Sequence, residues 1–358
     1  MRKELVFVLL ALFLCAGCNG NKKKMNGEHD LDAANITLDD HTISFYYNWY
    51  GNPSVDGEMK HWMHPIALAP GHSGDVGAIS GLNDDIACNF YPELGTYSSN
   101  DPEIIRKHIR MHIKANVGVL SVTWWGESDY GNQSVSLLLD EAAKVGAKVC
   151  FHIEPFNGRS PQTVRENIQY IVDTYGDHPA FYRTHGKPLF FIYDSYLIKP
   201  AEWAKLFAAG GEISVRNTKY DGLFIGLTLK ESELPDIETA CMDGFYTYFA
   251  ATGFTNASTP ANWKSMQQWA KAHNKLFIPS VGPGYIDTRI RPWNGSTTRD
   301  RENGKYYDDM YKAAIESGAS YISITSFNEW HEGTQIEPAV SKLSLIHISE
   351  PTRRVVIS

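Results

Sequence analysis

Glu329 and Glu332 stand three residues apart, with Trp330 and His331 between them and Glu337 close behind. Two carboxyls that near each other do not both ionise easily. Like charge raises the proton affinity of one, so one can serve as an acid while its neighbour serves as a base. Cleavage of a glycosidic bond needs such a pair, one member of which protonates the leaving oxygen. Glu-x-x-Glu is also common on exposed helices. Here it follows Tyr321-Ile-Ser-Ile-Thr-Ser-Phe327, a β-branched and aromatic run that reads as a buried strand ending where the carboxylates begin.

The elements that must position this loop recur along the chain. Strands are expected at Ile43–Tyr47, Val117–Thr123, Lys148–Ile153, Pro188–Tyr193, Gly222–Leu227, Gly244–Tyr248, Leu276–Val281 and Tyr321–Phe327. Amphipathic helices separate most of them. The 102–115 helix carries Ile105, Ile109 and Ile113 on one face, and Ser160-Pro161 opens the helix whose stripe is Val164, Ile168, Ile171 and Tyr175. Near-continuous apolar strands alternating with helices indicate a parallel sheet buried on both faces. Repeated in this way, they predict a closed (β/α)₈ (TIM) barrel forming one catalytic domain over 41–342. No Gly-x-Gly-x-x-Gly follows the first strand, which argues against a doubly wound dinucleotide fold.

Chemistry on such a barrel sits on the face where the strands end. The residues found there are Tyr46, Tyr47, Asn48, Trp49, Trp124, Trp125, Glu154, Asp194, Tyr246, Tyr248, Tyr285, Arg291, Glu329 and Glu332. Aromatic rings stack on the C–H faces of sugars and carboxylates bond their hydroxyls, although a strand-end Trp can equally plug the barrel mouth. Glu154 could be an ion-pair partner and Asp194 a cap. His61 and His64 are spaced i, i+3, but no Cys or carboxylate lies at ligand spacing, so no metal and no cofactor is expected.

The formal charge of -8 comes without basic runs, which argues against a nucleic-acid partner. Arg2-Lys3, the apolar run to Leu14 and Ala16-Gly17-Cys18 read as a lipoprotein-type signal over 1–18, with Cys18 the lipidation site and 19–40 a flexible tether. The apolar run is too short to span a bilayer, so the expected membrane link is the lipid anchor alone, at a bacterial cell envelope. Cys88, Cys150 and Cys241 are far apart and odd in number, which suggests free thiols.

Several stretches together resemble the endo-acting α-mannosidases and α-mannanases of glycoside hydrolase family 99, with the bacterial, Bacteroides-type members the nearest in pattern. They are Phe45-Tyr-Tyr-Asn-Trp-Tyr-Gly51, His61-Trp-Met-His-Pro65, Trp124-Trp-Gly-Glu127, His152-Ile-Glu-Pro155, Pro283-Gly-Tyr-Ile-Asp-Thr-Arg-Ile-Arg-Pro-Trp293 and Asn328-Glu-Trp-His-Glu-Gly-Thr-Gln-Ile-Glu-Pro338. The resemblance spans about residues 40–342. It implies a metal-independent, retaining, monomeric enzyme acting within α-mannan or mannose oligosaccharides at α-1,2 linkages. It implies further that Glu329 takes the proton of the sugar's own 2-hydroxyl, which closes to a 1,2-anhydro sugar, while Glu332 is the general acid/base. By the same carry-over Tyr46, Trp124, Glu154, Tyr248 and Arg291 contact substrate. Trp124 matches a position where mannose-preferring members carry Trp and the animal members, which accept glucose, carry Tyr. Glu337 falls to a supporting role.

Two other readings use the same residues: a glycan-binding lipoprotein without activity, and an enzyme trimming glucosylated high-mannose N-glycans. The segment 343–358 departs from the family pattern. Its β-branched residues and Pro351 give no helical stripe, although a barrel asks for a helix after the eighth strand. A non-native tail is therefore expected there, with lower stability than in full-length relatives.

Overall fold

A computed structural model describes residues 37–341 apart from Asp75 and 82–84. Cys18, residues 19–36 of the expected tether and the 343–358 segment lie outside the described residues, whereas 37–40 are described and Asp39 and Asp40 open the first barrel strand where the sequence reading expected tether. The barrel strands are β1 (Asp39–Tyr46), β2 (Val117–Trp124), β3 (Lys148–Ile153), β4 (Lys187–Ile192), β5 (Leu223–Leu227), β6 (Gly244–Tyr246), β7 (Leu276–Ile278, resumed as Ser280–Val281) and β8 (Ile322–Ile324). Each pairs in parallel with its neighbours in chain order, and β1 pairs with β8. The break in β7 falls at Pro279, which has no N–H to give the ladder. The first half of β7 holds β6 and the second half holds β8, so the ring closes across the break.

Among the described residues, seven α-helices of six residues or more cover the outside: α1 (Pro102–Lys114), α2 (Asn132–Ala143), α3 (Pro161–Tyr175), α4 (Pro200–Phe207), α5 (Leu234–Thr239), α6 (Trp263–Ala272) and α7 (Lys305–Ser317). Asp101 caps α1 by accepting from Glu103 N at 2.8 Å, and Ser160 closes a capping box on α3. The expected stripes of α1 and α3 are the buried ones. On α1 the buried face also includes His108 and His112, which extend it to the i, i+3, i+4, i+7, i+8 pattern of a packed helix. α5 has no counterpart in the sequence reading. Six residues with two buried apolar side chains, Leu234 and Ile237, are too few to show a period.

Strand geometry divides the side chains with period two. Ile43 and Phe45 on β1, Val119 on β2, Cys150 and His152 on β3, Leu189 and Phe191 on β4 and Tyr246 on β6 point into the barrel. Tyr46, Leu120, Val122, Trp124, Phe151, Phe190 and Phe245 point at the helices. Phe45 fills the centre, 5.2 Å from the ring of Phe191 and 5.6 Å from that of Tyr246. It makes a dry floor beneath the strand ends. Cys88, Cys150 and Cys241 are free thiols, the first two buried and the third partly so.

A long insertion between β1 and α1 lies over one side of the rim. It contains the helical turn Pro53–Asp56, the hairpin His64–Pro65 with Ala78–Ile79, and Phe90–Pro92, which pairs antiparallel with Ala339–Ser341. Trp62 is its anchor, fully buried against Tyr50 and Tyr97, with its indole N–H on the Tyr97 carbonyl at 2.9 Å. Burial of such a ring contributes about 2–3 kcal/mol.

Candidate active site

The β8 ladder runs only through Ile324, shorter than the sequence suggests, because the backbone turns away to serve the loop. Ser326 N donates to Thr334 O at 3.0 Å, and Ile336 N returns to Ser326 O at 2.9 Å. The residues between are thereby held as a closed loop. Asn328 clamps it to the end of β1: its side-chain oxygen accepts Tyr47 N at 2.7 Å and its amide donates to Tyr47 O at 2.8 Å. Glu337 accepts from Tyr97 Oη at 2.7 Å and Trp330 Nε1 at 3.1 Å and lies 3.1 Å from His108 Nε2, so this third carboxylate braces the loop from behind. Gly333 has φ of 62°, and a Cβ there would lie 2.7 Å from the Ile286 carbonyl oxygen. Only glycine fits where the loop passes the segment after β7, to which Glu332 O is bonded through Ile286 N at 2.9 Å.

Glu329 and Glu332 occupy different surroundings. Glu329 lies deep, its side chain 6% exposed, and its backbone N–H is held by Ser326 Oγ at 2.7 Å. Burial raises its pKa well above the ordinary carboxyl value, and Glu332 and Glu154 add to the rise. Arg291 and the backbone N–H of His331 oppose it. Glu332 is nearer the mouth, its side chain 24% exposed, with Arg291 Nη1 3.5 Å from Oε1. Burial raises its pKa as well, but the Arg291 guanidinium is the largest opposing influence. Arg291 is fixed in turn by Asp287 Oδ2 at 2.9 Å, an oxygen that also accepts from Tyr285 Oη and Asn294 Nδ2. The carboxyls titrate as a pair. In the empty site the last proton is held more tightly by Glu329, which has no cation of its own, than by Glu332.

The remaining expected residues divide by strand parity. Glu154 projects inward, 4% exposed; its Oε1 lies 3.1 Å from His152 Nδ1 and has no hydrogen-bond partner. Tyr248 reaches the same space. Its backbone has φ of 52°, which is strained for a bulky residue; Ser280 Oγ holds its N–H at 2.7 Å, and its hydroxyl meets that of Tyr47. Arg291 faces Glu332 as described. Tyr46 and Trp124 correct the expectation. Tyr46 points to the helix layer, its hydroxyl on His108 Nδ1 at 2.9 Å and its ring stacked on Phe327. Trp124 is 1% exposed, packed on Phe151 and Tyr170, with its indole N–H on Asn167 Oδ1 at 2.6 Å. Both sit one residue out of register with the lumen.

Their neighbours in sequence take the inward places. Tyr47, buried, lies close enough to Glu329 and Glu154 for both to raise its pKa. Trp125 comes within 6.3 Å of Trp49 and its indole N–H is unpartnered, as is that of Trp49. Tyr193, at the end of β4, stands near Glu332, Asp194 and Glu154. Asp194 itself faces Arg159 and Tyr196 rather than the carboxylate pair. Counting in twos from Phe45, Val119 and Phe191 would have found Tyr47, Trp125 and Tyr193. Asp287 lies within the Pro283–Trp293 stretch that carries the resemblance, but nothing in that stretch singled it out from its neighbours.

One wall of the cleft is histidine and aromatic. His61 stacks parallel on Trp49 at 4.6 Å, and His331 lies 5.1 Å from His64. Desolvation by the surrounding protein and the neighbouring His64 and Lys60 push His61 down to about 4, and burial with His64 and His61 nearby pushes His331 to about 3, so both are neutral near pH 7. Among the described residues, the one group with three clustered metal-ligand atoms is Asp39, Asp40 and His41, at the opposite end of β1. The strand ends thus gather unpartnered donors and acceptors, aromatic surfaces and two coupled carboxyls of unequal proton affinity.

Comparison with known proteins agrees with this geometry. The glycosyl hydrolase family 99 pattern matches residues 37–347. The solved structure of the family 99 endo-α-mannosidase from Bacteroides thetaiotaomicron is 99% identical, with a TM-score of 0.84 over 86% of this chain and 90% of that one. The same enzyme in complex with bis-tris-propane is 93% identical, with a TM-score of 0.79 over 86% and 89%. The glycoprotein endo-α-1,2-mannosidase of Mus musculus is 48% identical over 316 residues, 84% of this chain and 68% of that protein.

Proposed function

The chain belongs to glycosyl hydrolase family 99, and from that premise we propose that it is a retaining endo-acting α-mannosidase cutting internal α-1,2 linkages of α-mannan. The observation that carries the mechanism is the inequality between Glu329 and Glu332. A carboxylate with high proton affinity is the stronger base, and a carboxyl beside a guanidinium is the stronger acid. Glu329, deep and without a cation, suits removal of the proton from the 2-hydroxyl of the mannose being cleaved. O2 then bonds to C1 as the C1–O bond to the leaving sugar breaks. Glu332, at the mouth beside Arg291, gives its proton to the leaving oxygen, then takes one from the water that attacks C1 and breaks the C1–O2 bond of the 1,2-anhydro sugar, while Glu329 returns its proton to O2. The starting state needs the pair's single proton on Glu332, the less favoured place in the empty site. A substrate 2-hydroxyl donating to Glu329 stabilises the ionised form there and shifts the proton across.

Glu154, Tyr248 and Arg291 are positioned to bond sugar hydroxyls, and Trp49 and Trp125 offer aromatic surface with free indole donors. The animal relatives are named glycoprotein endo-α-1,2-mannosidases, which favours glycoprotein glycans as a second substrate class, and glucosylated high-mannose oligosaccharides are the probe for it. Incubation with yeast-type α-mannan and, separately, with glucosylated high-mannose oligosaccharides decides between them. Release of α-1,3-mannobiose from mannan supports the first reading; release of a glucose-capped disaccharide alone supports the second. Binding of both without products would make the protein a glycan-binding module. We place the mature protein as a monomer on a bacterial cell envelope, tethered through lipid on Cys18. Replacement of Cys18 by Ser should release it into the soluble fraction; retention in the membrane fraction contradicts the anchor.

A further inference from the structure

His331 has a fixed tautomer. Its Nε2 meets the backbone carbonyl of His61, and a carbonyl only accepts, so the ring proton is on Nε2. The ring is neutral near pH 7, held so by burial and by His64, His61 and Arg291. Its other nitrogen, Nδ1, therefore carries a lone pair, and that lone pair lies 3.8 Å from Glu329 Oε1. Two acceptors face each other while Glu329 is ionised. Once Glu329 holds a proton, the same geometry becomes complementary, with carboxyl O–H toward Nδ1. The gap exceeds a hydrogen bond in the empty site, and catalytic contacts of this kind commonly tighten when substrate binds.

We propose that His331 is a positioning residue for the base: it accepts a hydrogen bond from Glu329 in the state that follows removal of the sugar's 2-hydroxyl proton. It takes no proton itself. The insertion between β1 and α1 thereby enters the chemistry, because the His61 carbonyl sets the ring. The inference rests on the role given to Glu329 above. Other charged or titratable groups facing Glu329 are Glu332 on its own loop, Glu154 after β3, Arg291 after β7, and Tyr47, Tyr50 and Tyr248. None of them offers a neutral nitrogen acceptor.

Two substitutions separate the halves of the ring. In His331→Gln the side-chain amide can still donate to the His61 carbonyl but leaves nothing at the Nδ1 position. In His331→Asn an oxygen can occupy the Nδ1 position while the link to His61 is lost. The readout is the pH profile of kcat/KM on an α-1,2-linked mannose oligosaccharide, with Glu329→Gln measured alongside. An acceptor favours the protonated carboxyl of Glu329, which holds the pair's last proton in the free enzyme, so its loss should move the alkaline limb of His331→Gln to lower pH by about half a unit and lower kcat about tenfold. His331→Asn should keep a rate closer to wild type than His331→Gln does. A His331→Gln profile with an unmoved alkaline limb, or equal losses in the two variants, overturns the proposal. If His331→Gln behaves as predicted, melting temperatures within a few degrees of wild type attribute the effect to the site. If Glu329→Gln stays active, the role of Glu329 fails first, and that outcome is distinct from a silent His331.

Discussion

Glu329 is held against the wall built by the β1–α1 insertion, and Glu332 against the wall that follows β7. The first wall is His61, His64, His331 and Trp49, in which His331 is buried and His61 and His331 are held neutral near pH 7. The second is Arg291 locked to Asp287, half open to solvent. Both carboxyls come from one loop, so the backbone does not distinguish them. Their walls do: one lacks a cation and would strengthen Glu329 in its proposed role as base, the other supplies one and would strengthen Glu332 in its proposed role as acid.

The comparison breaks most directly at the carboxyls. Glu332→Gln and Glu329→Gln should each lower kcat on a natural linkage about 10³-fold. The two should part on a substrate with an acidic aryl leaving group, which needs no proton. There Glu332→Gln regains most of the first-step rate and Glu329→Gln does not. Equal recovery in both would mean that the walls do not set the roles.

Arg291→Met strips the second wall of its charge. The guanidinium lowers the pKa of Glu332, so its loss lets Glu332 keep its proton to higher pH. The acid limb of kcat/KM, where the free pair gives up its first proton from Glu332, should move up while the rate falls about tenfold, since a weaker acid protonates the leaving oxygen less well. A downward shift contradicts the assignment of that limb to Glu332.

Gly333→Ala tests the geometry that keeps the walls apart. With φ of 62° and Ile286 within 2.7 Å of the new Cβ, the loop must shift. We expect a loss of about 1–3 kcal/mol of stability by thermal melt, together with reduced activity.

The smallest effect is on stability and pH. Glu329 has a folded pKa raised above its ordinary value of 4.5, so the folded state holds a proton that the unfolded state has released. This group therefore destabilises the fold progressively as pH rises from about 4.5 toward the folded pKa, and has no such effect below that window. Glu329→Gln should melt a few degrees above wild type at pH 7.5, with the gap closing toward pH 4.5. A gap that widens on acidification contradicts the sign.

How far the sequence reached follows from what each feature depends on. The ring of parallel strands was legible because its apolar runs and the stripes of α1 and α3 are local patterns. The Glu329–Glu332 loop was legible because its residues are contiguous, and Glu337 could be set aside for the supporting place it occupies. Tyr46 and Trp124 were misplaced because carry-over by motif ignores parity: each adjoins the residue that faces the lumen. Arg291 was named without its reason, since Asp287, which aims it, depends on how the loop after β7 folds back. The inequality of the two glutamates was not readable at all. It comes from residues more than two hundred positions apart meeting at one loop, as His61 and His331 do.

The central claim is that Glu329 acts on the sugar's own 2-hydroxyl. A mannose oligosaccharide in which the sugar to be cleaved is 2-deoxy, or 2-O-methylated, tests it most directly. The account predicts that the wild-type enzyme binds this compound, competes with it against α-mannan, and does not cleave it. Cleavage at a rate near that of the parent compound would contradict the account and require a nucleophile from the protein, with Glu154 the first to examine.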